Sequence, residues 1–288
     1  MTKVRNYFSL VKFSHTIFAM PFAIIGYFTA VVRTGHGFNW STFGLVIACM
    51  VFARSAAMAF NRWLDAHFDA LNPRTAIREI PSGIIKRSSA LWFVVICCAL
   101  FIGCAALINP LCFSLSPVAL FVVLFYSYTK RFTALCHIVL GLGLSLAPIG
   151  AYLAVTSTFA WLPVLFSFAV VFWVSGFDVI YALQDEAFDK SHRLHSLPAA
   201  VGVRRALRLS ELLHLLSALS VIAAGIFGHF GYWYWIGVAI FLTMLFIQHT
   251  LVKPGDLSRV NLAFMTTNGI ASVLFSIFVV TDLFVFHG

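Results

Sequence analysis

Residues 160–182 read AWLPVLFSFAVVFWVSGFDVIYA, and from Ala160 to Phe177 no side chain carries a charge. A helix that crosses a bilayer needs about 20 mostly apolar residues. The stretch therefore reads as a transmembrane span with a carboxylate, Asp178, close to one end. Eight further stretches have the same character, at roughly 13–32, 41–60, 90–108, 111–128, 135–156, 209–228, 231–251 and 262–286. The expectation is an all-α, multi-pass membrane protein of about nine transmembrane helices, forming one membrane-embedded domain over residues 1–288. Composition agrees: 61% of the residues are hydrophobic and only 10% are charged, where a soluble domain carries about 25% charged residues. The basic start (Lys3, Arg5, Lys12) and apolar continuation look like a signal peptide. The run extends to Val32 without a small-residue cleavage site, so it reads as a retained first helix.

The net charge of +9 raises nucleic acid as a partner, but the distribution of the charge argues against it. Apart from Arg33 and Arg54, every Lys and Arg falls in alternate connections: the N-terminus, 62–87, 130–131, 190–208 and 253–259. Such one-sided placement is the positive-inside pattern. It puts the N-terminus and all these segments in the cytoplasm and, with nine spans, the C-terminus outside. The expected location is a cell inner membrane, with no nucleic-acid partner. The six cysteines lie in or beside apolar runs and read as small buried hydrophobes.

The ten acidic residues are clustered. Asp65, Asp69 and Glu79 follow the second span, and Asp178, Asp185, Glu186 and Asp189 close the sixth, both at the cytoplasmic side. On a continuous helix, steps of four keep residues on one face, so Asn61, Asp65 and Asp69 share a direction. Offsets of 7 and 11 bring Asp178, Asp185 and Asp189 onto one face as well. Two carboxylate-bearing faces at one membrane surface repel each other unless a cation holds them. Mg²⁺ prefers carboxylate oxygens and keeps positions for substrate phosphates, while nearby Arg and Lys bind residual phosphate charge. This chemistry suits a diphosphate with a long apolar tail.

The expected catalytic residues are Asp65, Asp69, Asp185 and Asp189, which with Asn61 are also the metal ligands. Arg54, Asn61, Arg74, Lys130, Arg131, Asp178 and Tyr181 are expected to bind substrate. Arg54 lies inside a span, where a charge must face a polar cavity. It is either an anion-binding arginine or the ion-pair partner of a carboxylate. A transporter is the competing class, although the acids sit at helix ends rather than at mid-membrane. The histidines offer no metal set: His67 points away from the first acidic face, and His192 and His195 lie in a loop.

These motifs resemble the UbiA superfamily of intramembrane prenyltransferases over nearly the whole chain. The family signature Asn-Asp-x-x-Asp-x-x-x-Asp matches Asn61, Asp65 and Asp69. It runs on into Arg74-Thr75-Ala76-x-Arg78-x-x-Pro81-Ser82-Gly83. Lys130-Arg131-Phe132-Thr133 is similar to another family element, and the second signature matches Asp178, Tyr181, Asp185 and Asp189. Within the family, the 4-hydroxybenzoate polyprenyltransferases are most similar. The resemblance implies a central lipid-open cavity in which Mg²⁺ at the two Asp motifs promotes loss of diphosphate from a polyprenyl diphosphate. An aromatic acid, with 4-hydroxybenzoate favoured, then accepts the prenyl chain in quinone biosynthesis.

The chain departs from the family at three places. Arg62 stands where the signature usually has Asp, on a side taken to face away from the metal. Glu79 replaces a common Pro. Leu194-His195-Ser196-Leu197-Pro198 stands in place of Lys-Ser-Thr. A hydroxynaphthoate of a menaquinone route therefore stays open as the acceptor.

Overall fold

The computed structural model describes residues 3–12 and 18–287. Among them, no β-strand is formed. In chain order the helices are α1 (Lys3–Leu10), α2 (Met20–Thr34), α3 (Trp40–Leu64), α4 (Ala66–Leu71), α5 (Arg87–Ile108), α6 (Pro110–Thr129) and α7 (Cys136–Thr156). They continue with α8 (Trp161–Ala182), α9 (Glu186–Ser191), α10 (Leu197–Val201), α11 (Val203–Phe227), α12 (Tyr232–Leu251), α13 (Val260–Leu262) and α14 (Asn268–Phe286). Among the described residues, eight helices are long and apolar enough to cross a membrane. A π turn at Ala263–Thr267 joins α13 to α14, so that 260–286 make one crossing.

The first expected span is the shorter apolar helix α2, of 15 residues. It opens at Met20 with Pro21 in its first turn, where the missing N–H costs no helical hydrogen bond. Positions 13–17 of that expected span lie outside the described residues.

Local signals set several boundaries. The Asn39 side chain accepts from the Thr42 amide (3.0 Å) and starts α3. Asn109 accepts from the Cys112 amide (2.8 Å) and, with Pro110 next, starts α6 directly after α5 ends. The polar side chain occupies a backbone donor that the first helical turn leaves without a partner.

Packing separates central from peripheral helices. The most buried span is α8, which lies between α7 and α11; the least buried are α5 and α6. Phe22, Phe166, Trp173, Phe241 and Phe275, from α2, α8, α12 and α14, form the largest core cluster. Where α2 meets α7, a Cβ on Gly26 would fall 2.0 Å from the Pro148 carbonyl oxygen. Small residues let backbones approach where lipid supplies no hydrophobic drive between helices. The outside carries exposed Trp92, Leu107, Phe121, Phe168, Leu215 and Phe246. An exterior this apolar fits lipid contact.

Both acidic motifs fall where a long helix stops. The expectation of one continuous helix through each motif is corrected here. Asp65 is a turn residue (φ −88°, ψ 5°) between α3 and α4. Asp185 (φ −107°, ψ 5°) ends a 3₁₀ turn, Leu183–Asp185, between α8 and α9. Such near-zero ψ values lie in the sparsely used bridge region. At the first motif the ladder is not lost: the Asp65 amide still bonds to Asn61 O (2.9 Å), and the Asp69 amide to Asp65 O (2.8 Å). The i to i−4 register therefore survives the bend, and Asn61, Asp65 and Asp69 stay on the cavity side.

Candidate active site

The two helix breaks face each other across one cavity of about 500 Å³. Arg54, Asn61 and Arg62 reach it from α3, Asp65 from the break and Asp69 from α4. Asn72, Arg74 and Arg78 come from the following loop, and Tyr126 and Lys130 from the end of α6. His137 of α7, Asp178 and Tyr181 of α8, Asp185 and Asp189 also line it, as do Lys12 and Glu79. A second cavity of about 350 Å³, lined almost wholly by apolar side chains of α3, α5, α6 and α7, abuts the first. Arg54, Tyr126, Leu140 and Leu144 line both. A charged chamber thus opens past one arginine and one tyrosine into an apolar one.

Within the charged chamber, several carboxylates are held by specific cations. Asp185 takes the Arg74 guanidinium as a fork, through Nε to Oδ1 (3.0 Å) and Nη2 to Oδ2. Asn72 Nδ2 donates to the same Oδ1 (3.0 Å), and Arg74 Nη1 donates to the Tyr181 hydroxyl (3.2 Å). These bonds tie the loop after α4 to the end of α8, and so the first motif to the second. Asp65, 2% exposed, pairs with Lys130 Nζ (3.0 Å) and Arg131 Nη2 (3.3 Å) and accepts from Asn61 Nδ2 (3.3 Å). Asp69 pairs through Oδ1 with Arg78 Nη1 (2.6 Å).

At Asp178, His137 Nδ1 lies 2.6 Å from Oδ2. The Leu197 amide donates to His137 Nε2 (3.2 Å). The ring proton is thereby placed on Nδ1, where it donates to the carboxylate. Burial alone would lower the proton affinity of Arg74 and Lys130. Asp185 beside Arg74, and Asp65 beside Lys130, outweigh burial and hold both above their ordinary values.

The donor set fits a hard divalent cation. Asn61, Asp65, Asp69, Asp185 and Asp189 present oxygens to one cavity, and Asp69 Oδ2 is buried without a hydrogen-bond partner. Buried carboxylate oxygens are normally satisfied, so this one is available to a ligand. Among the described residues, no three acidic, His or Cys side chains converge as a preformed cage. That accords with an ion held by one or two carboxylates together with substrate phosphates.

The cavity gathers Arg54, Asn61, Asp65, Asp69, Arg74, Lys130, Asp178, Tyr181, Asp185 and Asp189. Arg131 lies outside its lining, donating to Leu64 O (2.9 Å) and backing Asp65. Sequence reasoning did not find Asn72, Arg78, Tyr126 or His137 as site residues. Asn72 and Arg78 continue the first motif and were within its reach. His137 lies 41 residues from Asp178, and no spacing rule links the two. The placement of Arg62 is corrected: it lines the cavity and is 4% exposed, because offsets of three and seven residues keep it on the same side of the helix as Asp65 and Asp69, with Arg78 and Glu79 also close enough to act on its charge. Glu186, by contrast, is outside the lining and pairs with Lys190 one turn on.

Comparison with known proteins gives one answer. The family model described as the UbiA prenyltransferase family matches residues 19–270. A 4-hydroxybenzoate octaprenyltransferase of Francisella tularensis subsp. mediasiatica is 27% identical over 284 residues, covering 96% of this chain and 98% of the relative. One of Nitrosomonas europaea is 32% identical over 240 residues, 81% of this chain and 80% of the relative. The apo structure of a UbiA homolog from Aeropyrum pernix superposes with a TM-score of 0.80 at 29% identity, covering 94% and 97% of the two chains. A UbiA homolog from Archaeoglobus fulgidus bound to GPP and Mg²⁺ has the same fold, with a TM-score of 0.73 at 20% identity over 97% of this chain and all of that one.

Proposed function

The chain belongs to the UbiA prenyltransferase family, and on that premise we propose that it transfers a polyprenyl chain from polyprenyl diphosphate to an aromatic acid, 4-hydroxybenzoate. One observation carries this reading: a chamber of carboxylates and cations joined to an apolar chamber, with Arg54 and Tyr126 at the junction. The diphosphate belongs with Asp65, Asp69, Asp185 and Asp189, and the prenyl tail with the apolar wall. Bound there by these four carboxylates and Asn61, Mg²⁺ would supply the charge that stabilises a departing diphosphate.

The rest falls to the chain's own groups. Arg74 and Lys130 stay protonated beside their carboxylates and present positive charge to the oxygens of the leaving group. The fork between Arg74 and Asp185, buttressed by Asn72, holds the second motif at a fixed distance from the first. The allylic C–O bond breaks with its electron pair leaving on the diphosphate, the prenyl carbon bonds to the ring carbon beside the acceptor hydroxyl, and that carbon gives its proton to the departing diphosphate. Arg54 makes no hydrogen bond at its buried Nε. Its planar guanidinium suits the acceptor's carboxylate, and from the junction it would turn the ring toward the prenyl carbon. The apolar wall leaves the allylic cation little water to meet. The names of the relatives from Francisella and Nitrosomonas support 4-hydroxybenzoate over a hydroxynaphthoate.

The site belongs at the cytoplasmic face of an inner membrane, as the one-sided basic residues support. To test the function, membranes containing the protein receive labelled polyprenyl diphosphate and either 4-hydroxybenzoate or a dihydroxynaphthoate, with Mg²⁺ or with EDTA. The expected result is a lipid-soluble product from 4-hydroxybenzoate that EDTA abolishes. A product from the naphthoate alone would overturn the acceptor, and no product from either would overturn the reaction.

A further inference from the structure

Among the described residues, two guanidiniums of the charged chamber form no ion pair with a carboxylate. Arg54 is one, and it stands at the junction with the apolar chamber. The other is Arg62, 4% exposed, with Nε and Nη1 both buried and without a hydrogen-bond partner. Asp69 and Glu79 are close enough to attract Arg62, but each has one oxygen bonded elsewhere and neither forms an ion pair with it. Asp69 is taken up through Oδ1 by Arg78, and Glu79 accepts from Ser9. Burying an ionised group without a partner is costly. A cation kept in that state inside a cavity is poised for an anion that arrives there.

The same part of the chamber holds the complementary orphan, Asp69 Oδ2. A lone anion would satisfy the arginine and repel the aspartate. An anion that arrives with a divalent cation satisfies both. Position along α3 separates the two arginines. Arg62 stands eight residues after Arg54, about 12 Å along the axis at 1.5 Å per residue, and one turn or less from Asn61 and Asp65. Arg62 is thus level with the acidic motif and Arg54 is deeper.

We propose that Arg62 is a direct ligand of the substrate's diphosphate, a fixed cation standing where the signature otherwise has a carboxylate. Replacing a carboxylate by a guanidinium changes the local charge by two units, which equals the charge of one divalent ion. Part of the charge that otherwise has to come from bound metal is here built into α3. Diphosphate should therefore retain measurable affinity when divalent ions are removed. This inference rests on the reading of the cavity as a diphosphate site.

The test uses inorganic pyrophosphate, titrated calorimetrically into the purified full-length protein in detergent, with Mg²⁺ and with EDTA. Wild type, Arg62→Gln, Arg62→Lys and Arg62→Asp are compared, with thermal melting as the check on folding. Wild type should bind in both conditions. Arg62→Gln should weaken EDTA binding about ten- to a hundredfold, the worth of hydrogen bonds to a charged group. Arg62→Lys, which keeps the charge and loses the fork, should fall between. Arg62→Asp should bind only with Mg²⁺. If Arg62→Gln does not fold, Arg62→Lys decides alone, and a wild-type affinity in EDTA would then overturn the proposal. Unchanged affinity in all variants beside a binding wild type would overturn the role of Arg62 and leave the function standing. A wild type that bound no pyrophosphate even with Mg²⁺ would overturn the diphosphate site itself, and Arg62's role with it.

Discussion

Asp69 shows how one residue links the acidic motif to chemistry. One of its oxygens is spoken for by Arg78 and the other has no partner, so it is anchored and available together. Asp65, Asp185 and Asp189 stand on the same cavity. Replacing any of the four by Ala should cut turnover about a hundredfold or more, since metal-assisted charge stabilisation is worth several kcal/mol and each ~1.4 kcal/mol is tenfold. Glu186→Ala, which removes only an exposed pair with Lys190, should change turnover little. The check is initial rate per mole of inserted protein; near-normal rates in all four Asp variants would end the assignment. Arg54→Lys isolates the acceptor. Lysine keeps the charge but not the planar fork, so the apparent KM for 4-hydroxybenzoate should rise while that for the prenyl diphosphate stays close to wild type. A rise confined to the diphosphate KM would move Arg54 to the other substrate.

At the scale of the element, the spans were legible because a long uncharged run can satisfy its backbone in lipid only as a helix. The helix breaks at Asp65 and Asp185 were not legible. Neither break carries a Pro or a Gly within its motif, so no local residue announces it. Each bend arises where an apolar span ends and a short polar helix must turn along the surface. Arg62 was misplaced independently of the break: it stands three residues before Asp65 and seven before Asp69, offsets that keep it within about 60° of both on a regular helix, so periodicity itself turned it toward the cavity, and the unforeseen break was a separate error. The acidic residues survived the error because the i to i−4 bonds cross the first break.

Contacts between elements were equally invisible to periodicity, and the crossing of α2 and α7 offers a test of them. Gly26→Leu would drive a side chain into the backbone at Pro148. Overpacking costs about 1–3 kcal/mol, so the melting temperature in detergent should drop by several degrees. Gly44→Ala, where a Cβ meets nothing within 4 Å, should leave it near wild type or above. Equal melting of both variants would mean that α2 and α7 do not touch closely in the protein.

Across the whole molecule, charge is divided between the two ends, and each end uses it differently. The motif end gathers Arg62, Arg74, Arg78, Lys130 and Arg131 around the carboxylates, enough to bind an anion and to bias the protein's orientation. The opposite end carries few charges, and those charges serve packing. Arg33 donates to Gly228 O, lies 3.0 Å from His287 Nε2 and sits over the Phe230 ring at 4.6 Å. Asp282, fully buried, accepts from the Gly231 amide (2.8 Å) and the Tyr234 amide (3.1 Å), so a carboxylate of α14 caps the start of α12. Arg33 is bound into this clasp rather than free among lipid headgroups, so it does not oppose the bias set by the basic end. The motif end should then face the cytoplasm, and if α2 crosses together with the eight longer helices of the described residues, the number of crossings is odd. An alkaline phosphatase fused to the C-terminus should be active and a fluorescent protein there dark. Adding two lysines beside Arg33 should lower that phosphatase activity, since they would draw this end inward, whereas two added beside Lys253 should not. A dark phosphatase with a bright fluorescent protein would place both termini on one side and reduce the number of crossings to an even one.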